Sequence, residues 1–408
     1  MAPDDHLCRS ISSLARGREV GVPKDADQTF PEIREAVRKL CARFPGAYWR
    51  ALDREREYPT AFVTALTEAG FLSVLIPEAY GGSGLGLGAG AAVLEEIHRS
   101  GGNGGACHAQ MYTMGVVLRH GSPAQKDAYL PKVASGELRL QAFGVTEPDA
   151  GTDTTRITTF ARRDGDHYVV SGKKLWISRA EHSDLMVLLC RTTARADAAK
   201  PSDGMSVLLV DMRDAVGNGL TIRPVRTMLN HATTELFFED LKVPVANLIG
   251  EEGKGFRYIL DGMNAERILI AAECIGDARF FIDRASAYAR EREVFGRPIG
   301  ENQGVQFPIA RAYVQMTAAN LMVEKACALF EAGEPCGTEA NMAKLVASEA
   351  SWYAADMALQ THGGFGFAEE YDIERKFRET RLYQVAPIST NLILSHVATH
   401  VLDLPKSF

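Results

Sequence analysis

A mixed α+β fold, with two helical regions flanking a smaller β region, is predicted by three changes of pattern along the 408 residues. Between Phe30 and about Gln141, apolar residues recur every three or four positions. From Ala142 to about Val245 they gather instead in short runs bounded by turn residues. From Gly255 onward the helical spacing returns and is sustained over long stretches. The matching division is a tail over 1–29, a helical domain over 30–141, a β domain over 142–247 and a second helical domain over 248–408.

Each region rests on particular residues. Ile33, Val37, Leu40 and Cys41 make one helical stripe, and Phe62, Leu66 and Ala69 another. Val93 and Ile97 follow, then the apolar run Val116-Val117-Leu118. The glycine-rich segment Gly81–Gly90 lacks both a GKS/T ending and a preceding strand, so it reads as a flexible connection rather than a phosphate loop. In the middle region, His167–Ser171, Leu185–Cys190, Ser206–Val210 and Glu235–Glu239 read as strands. Asp164-Gly165, Asp203-Gly204 and Gly217-Asn218-Gly219 punctuate them. The last region predicts helices through Ala289, from Asn302 to Ala332 and from Gly337 to Gln360.

Composition narrows the class of function. A net charge of −7 argues against nucleic acid as the main partner, because phosphate binding rests on an excess of Lys and Arg. One local Arg cluster can still hold a single anionic ligand. The seven cysteines are scattered with no CxxC pair, which offers neither a metal set nor a disulfide framework and fits a reducing, cytoplasmic setting. No apolar run approaches the ~20 residues of a membrane span. The start of the chain, with Asp4, Asp5 and basic residues such as Arg9 and Arg16, has no signal-peptide core and reads as a disordered tail.

Five segments carry candidate chemistry. Phe143-Gly-Val145-Thr146-Glu147-Pro148-Asp-Ala-Gly151-Thr152-Asp153 is a strand end followed by a turn dense in hydroxyls and free N–H groups. Such a turn can bind the polar edge of a planar ring, although on these residues alone a capped turn after a strand is the favoured reading. Gly172-Lys-Lys-Leu-Trp176-Ile-Ser178 follows, where the Trp alone reads as core. On a helix, Ile259, Met263, Glu266, Ile270 and Cys274 share one stripe. A carboxylate on an apolar stripe is costly unless paired, and desolvation raises its pKa toward that of a useful base. The plainer alternative is a local salt bridge. Arg292-Glu-Val-Phe295-Gly-Arg-Pro-Ile-Gly-Glu-Asn-Gln303 and Gln360-Thr-His-Gly363-Gly364 complete the set, the glycines permitting close approach of backbone to a ligand. His362 has no metal-ligand partner at usable spacing and reads as structural.

Taken together, these motifs resemble the acyl-CoA dehydrogenase family from roughly Ile33 to Leu402. The resemblance implies a β-barrel or sandwich for the middle domain, a C-terminal four-helix bundle, FAD as cofactor and a homotetramer. It implies flavin contacts for Phe143, Val145, Thr146, Trp176 and Ser178, and a CoA contact for Thr152. Arg292 would bind the FAD diphosphate, where a bidentate cation is needed, with Phe295 and Gln303 beside it. Gln360, Gly363 and Gly364 would reach FAD across a subunit interface, and Ser389 and Asn391 would meet its adenosine end. His108, Met111 and Tyr112 fall near the expected acyl pocket.

One departure matters. Where the family usually reads Tyr-Gln-x-Tyr-Glu-Gly-Thr, with the Glu as base, this chain has Ala386-Pro387-Ile388. Isovaleryl-CoA and long-chain dehydrogenases carry a Glu-Arg pair on the helix after the β domain, and this chain matches it with Glu266-Arg267. The expected activity is therefore α,β-dehydrogenation of a short or branched acyl-CoA, with Glu266 as base, Arg267 at the substrate and electron-transfer flavoprotein as electron acceptor. Alternatives are a carrier-protein thioester as substrate, a flavin-dependent monooxygenase or oxidase on the same fold, or a non-enzymatic member that only binds ligand.

Overall fold

The computed structural model describes residues 29–406. All of the expected tail except Thr29, including Cys8, lies outside them. The first helices are α1 (Pro31–Cys41), α2 (Gly46–Glu55), α3 (Thr60–Glu68), α4 (Leu87–Arg99), α5 (Gly105–His120) and α6 (Pro123–Ser135). The Gly81–Gly90 segment is not wholly a connection, because Gly88 and Gly90 lie inside α4. Their small size suits tight packing: a Cβ on Gly90 would sit 3.1 Å from the Met111 sulfur of α5.

The strands follow as β1 (Leu140–Gly144), β2 (Phe160–Asp164), β3 (His167–Ser178), β4 (Leu185–Arg191) and β5 (Met205–Asp211). After a short helix α7 (Met212–Ala215) come β6 (Leu220–Pro224), β7 (Thr233–Pro244) and β8 (Leu248–Ile249). They form one eight-stranded sheet in the order β6-β7-β3-β2-β4-β5-β8, with β1 parallel to β4. The continuous apolar run of β4 has a simple cause. Leu185, Val187 and Leu189 pack with Met114 and Val116 of α5, while Met186, Leu188 and Cys190 face Val170, Leu236 and Phe238 of the same sheet. Both faces of the strand are buried, so no polar alternation is needed. At the other end of the sheet, Ser122 and Gln125 cap α6 reciprocally. The Gln125 amide also donates to the Ala246 and Leu248 carbonyls, tying helix to strand.

The C-terminal bundle is built from α8 (Gly255–Glu291), α9 (Gln303–Glu331), α10 (Gly337–His362), α11 (Ile373–Arg381) and α12 (Thr390–His400). Helix α8 runs through the middle of the molecule, packing on α4, α5, α9 and α10. Burial follows the stripe read from sequence, with Ile259, Ile270 and Cys274 inside. Buried ion pairs join this helix to the N-terminal ones: Glu95 of α4 accepts from Arg34 of α1 at 2.9 Å and from Arg279 of α8 at 2.7 Å. The cysteines among the described residues are free and buried.

Helices α4 and α8 meet backbone to side at Gly276, where an added Cβ would lie 2.3 Å from the Glu95 carbonyl oxygen. Backbone cannot yield as a flexible side chain can. Gly276→Ala is expected to destabilise the protein by about 1–3 kcal/mol, read as a lowered urea midpoint with unchanged slope.

Candidate active site

The signature turn is held from beneath by one buried ion pair. Lys174 lies in β3 with its ammonium inside the protein, 2.9 Å from Glu147 and 2.8 Å from the Val145 carbonyl. Glu147 also accepts from the Thr158 amide at 2.7 Å, the Thr159 amide at 2.9 Å and the Thr158 hydroxyl at 2.8 Å. Burial alone would push the Glu147 carboxyl up, but Lys174 and these donors outweigh it and hold it below the usual range. The Thr146 carbonyl accepts from Leu175, so the turn is stitched to β3 on both sides. Lys174 is a residue that the sequence reading missed. Its signal was available, because it shares the inward phase of Tyr168 and Val170 along β3.

Strand β3 then breaks register twice. Gly172 has a φ of 148°, and any Cβ there would collide with Thr159. The second irregularity lies between Leu175 and Ile177 and puts Trp176 at a φ of 64°. The bulge re-aims the indole outward, leaving it 55% exposed on the wall of a cavity. Ser178 lines the same cavity and accepts from the Asn230 amide at 2.8 Å.

That cavity has a volume of about 810 Å³. It brings together Phe143, Val145, Thr146, Thr152, Trp176 and Ser178 from the β region, Glu266 and Arg267 from α8, and Val385 to Ser389 from the C-terminal segment. Its inner end is formed by His108 and Tyr112, with Tyr112 edge-on to both His108 and Phe143 at about 5 Å. Met111 is buried but lies off the wall. The remaining sequence candidates lie elsewhere. Arg292, Gln360, Gly363 and Gly364 line a second groove with Tyr288 and Phe365. Phe295 is fully exposed, while Gln303 begins α9 and Asn391 lies in the first turn of α12. Ser389 caps α12 through its hydroxyl, which accepts from Leu392 at 3.3 Å. His362 stacks on Tyr288 and bonds the Ala358 carbonyl, an assignment within the bundle.

Glu266 is 8% exposed and makes no direct ion pair or hydrogen bond among the described residues. Burial pushes its carboxyl up to about 7, with His108, Arg267 and Arg179 only partly opposing the shift. Its neighbour Arg267 turns to Asn264 at 3.0 Å, so the local salt bridge considered from sequence does not form. Arg179, held at a positive φ with its amide on the Ala232 carbonyl, is a second missed residue. No local pattern pointed to it, because its effect on Glu266 depends on how β3 meets α8. Lys344 of α10, which does not line the cavity, donates to the Ile388 carbonyl at 2.7 Å. Burial lowers that lysine to about 8.

The wall suits a planar, partly polar group: an indole and an aromatic ring, two hydroxyls, and a turn with fixed amides. This donor set fits an isoalloxazine ring, and Arg292 with the Gly363-Gly364 backbone fits a diphosphate. The fold and site define a flavin-dependent oxidoreductase. The chain belongs to the acyl-CoA dehydrogenase family, matching its N-terminal domain over 28–137, its middle domain over 142–241 and its C-terminal domain over 253–402. It is 34% identical to acyl-CoA dehydrogenase FadE12 of Mycobacterium tuberculosis, covering 92% of this chain and 96% of that one. It is 35% identical to cyclohex-1-ene-1-carbonyl-CoA dehydrogenase of Syntrophus aciditrophicus over 92% and 90%. Among solved structures, acyl-CoA dehydrogenase from Geobacillus kaustophilus superposes with a TM-score of 0.86 at 31% identity, over 93% and 100%. No described helix is long and apolar enough to cross a membrane.

Two outcomes follow from this electrostatics. Lys174→Met, which strands Glu147 without its cation, should cost about 3–5 kcal/mol of stability in urea unfolding. For Glu266 the sign is opposite to a paired carboxylate. Its folded value of about 7 lies above its ordinary 4.5, so its contribution is intact below about 4.5 and lost as pH rises through about 7. Glu266→Gln should match the wild type near about pH 4 and exceed it by on the order of 3 kcal/mol near about pH 8.

Proposed function

We propose that the protein dehydrogenates an acyl-CoA thioester between its α and β carbons, with Glu266 as the base and FAD as cofactor. The observation that carries this reading is Glu266 itself: a carboxylate on the cavity wall with no direct partner among the described residues, its pKa lifted by burial to about 7. A base is most effective when its pKa lies near the working pH. FAD, when bound, supplies the acceptor for the β-hydrogen and its two electrons. Phe143, Val145, Thr146, Trp176 and Ser178 would hold the ring. The Arg292 groove, with Gln360, Gly363 and Gly364 and with Phe295 and Gln303 nearby, would serve the cofactor of a neighbouring subunit in a homotetramer. Thr152 and Arg267 are assigned to the substrate, and Ser389 and Asn391 to the adenosine end of the cofactor.

An α C–H is too weak an acid for a carboxylate unless the thioester oxygen is stabilised as charge develops. Pro387 has no N–H to give. The next peptide offers one. Lys344 draws the Ile388 carbonyl toward α10, and in a planar trans peptide the Ser389 N–H points the opposite way. Ser389 lines the cavity, and its amide has no backbone acceptor among the described residues. We assign this amide as the oxyanion donor. The ring cluster of His108, Tyr112 and Phe143 shortens the inner end, which favours a short or branched acyl group. Electron-transfer flavoprotein is the acceptor this reading calls for.

Anaerobic titration of the purified flavoprotein with straight and branched acyl-CoAs should bleach the flavin with short or branched members. No bleaching by any of them would turn the assignment to oxygen chemistry or to a carrier-bound thioester. Glu266→Gln should keep flavin bound and lose at least about 10²–10⁴-fold in reduction rate. In the wild type, that rate should rise with pH through about 7, as Glu266 ionises; a flat profile would contradict the base assignment.

A further inference from the structure

Beside Glu266, the cavity holds a second titratable pair with no assigned role. His108, near the start of α5, bonds Glu273 of α8 through Nδ1 at 3.0 Å. Its other nitrogen, Nε2, is buried and has no partner among the described residues. His108, Glu273 and Glu266 all line the cavity. Glu266 and Glu273 are two helical turns apart on the same face of α8, roughly 10 Å along the axis. The imidazole is bonded to Glu273, and it is also the largest of the charges that act on Glu266.

The other groups around this pair are already committed. His98 of α4 accepts the Gly104 amide at Nε2, 3.0 Å, so its proton sits on Nδ1 and donates to Asp277 at 2.9 Å. Asp277 also meets Lys376 at 2.6 Å, and Lys376 meets Glu379 at 3.0 Å. Glu379 is further bonded by Arg375. Tyr383 faces Glu273 from the C-terminal segment, Tyr112 packs edge-on to the His108 ring, and Arg179 bears on Glu266 from the β region. Within this cluster, His108 Nε2 is the nitrogen left open to receive a proton.

We propose that His108 is the second acid–base group of the site, taking onto Nε2 the proton that Glu266 has removed from the substrate. The inference rests on the dehydrogenase reading. In this step the Glu266 O–H bond breaks, one bridging water passes the proton on because the two groups are not in direct hydrogen-bond contact, an Nε2–H bond forms, and the imidazolium is held by the Glu273 carboxylate. Glu266 returns to its charged form while ligand still covers it. Glu273 is the positioning residue: it fixes the proton of the neutral ring on Nδ1 and so leaves Nε2 bare. A buried base sealed under substrate would otherwise keep its proton until the product left.

The test separates proton exchange from flavin reduction. Flavin-loaded protein is mixed anaerobically with butyryl-CoA or isovaleryl-CoA in D₂O, and deuterium at C2 of the recovered saturated thioester is measured against the bleaching rate. The wild type should exchange the α-hydrogen with solvent. In His108→Asn the ratio of exchange to bleaching should fall at least about tenfold below wild type, with Glu273→Gln intermediate. Added imidazole should restore exchange in His108→Ala. An unaltered ratio of exchange to bleaching in His108→Asn would overturn the relay and leave the dehydrogenase reading intact. No bleaching of the wild type would remove that reading and the relay with it. A substrate-free arm uses ¹⁵N-histidine spectra, with His108 assigned from the resonance lost in His108→Asn. Its neutral ring should carry the proton on Nδ1; a proton found on Nε2 instead would equally overturn the proposal.

Discussion

Three carboxylates on one face of a buried helix impose the strictest demand on this molecule. Glu266, Glu273 and Asp277 lie on α8 with their side chains inside the protein. Buried carboxylates must find partners, or lose their charge as burial raises their pKa. Asp277 is paired through Oδ1 with His98 and Lys376, and Glu273 with His108. Glu266 is left without a direct partner. The elements that converge on α8 are the ones that supply these cations and imidazoles: α4 brings His98, α5 brings His108 and α11 brings Lys376. The packing of the helical regions and the electrostatics of the site therefore have the same origin.

The β region meets a different demand, presenting an aromatic ring and several hydroxyls on the wall of the cavity. A regular strand would bury every second residue and expose the next, with no choice over angle. Two irregularities in β3 change this, and the second leaves Trp176 facing out at a positive φ. Such a distortion persists only where its surroundings over-determine it. Here the Glu147–Lys174 pair and the Thr158 and Thr159 amides clamp the turn on one side, while Asn230 holds Ser178 on the other.

The C-terminal segment shows how a lost residue can leave a usable wall. Proline at 387 removes both a carboxylate and an N–H from the cavity. The acid–base role in our reading passes to α8, and the donor role passes two residues along the chain. Lys344 makes the second transfer possible by drawing one carbonyl away from the cavity. Both replacements sit on elements already fixed by the bundle, so neither requires the fold to change.

What the sequence by itself determined was periodic or local. The helical–strand–helical order, the stripe carrying Glu266 and the signature turn could be read directly, because 3.6- and 2-residue repeats and turn chemistry are properties of neighbouring residues. The helix inside Gly81–Gly90 was obscured because glycine reads as a breaker until a close neighbour, here Met111, shows why a small residue is needed. Only the tertiary structure decided which charges would face Glu266. His108 lies 158 positions before Glu266 in the chain and Arg179 lies 87 before it, distances over which no local pattern carries information. The acidity of Glu266 is set by how completely α5, the end of β3 and the C-terminal segment exclude water from one side of α8. That exclusion is a property of packing, and it exists only once the helices and the sheet have met.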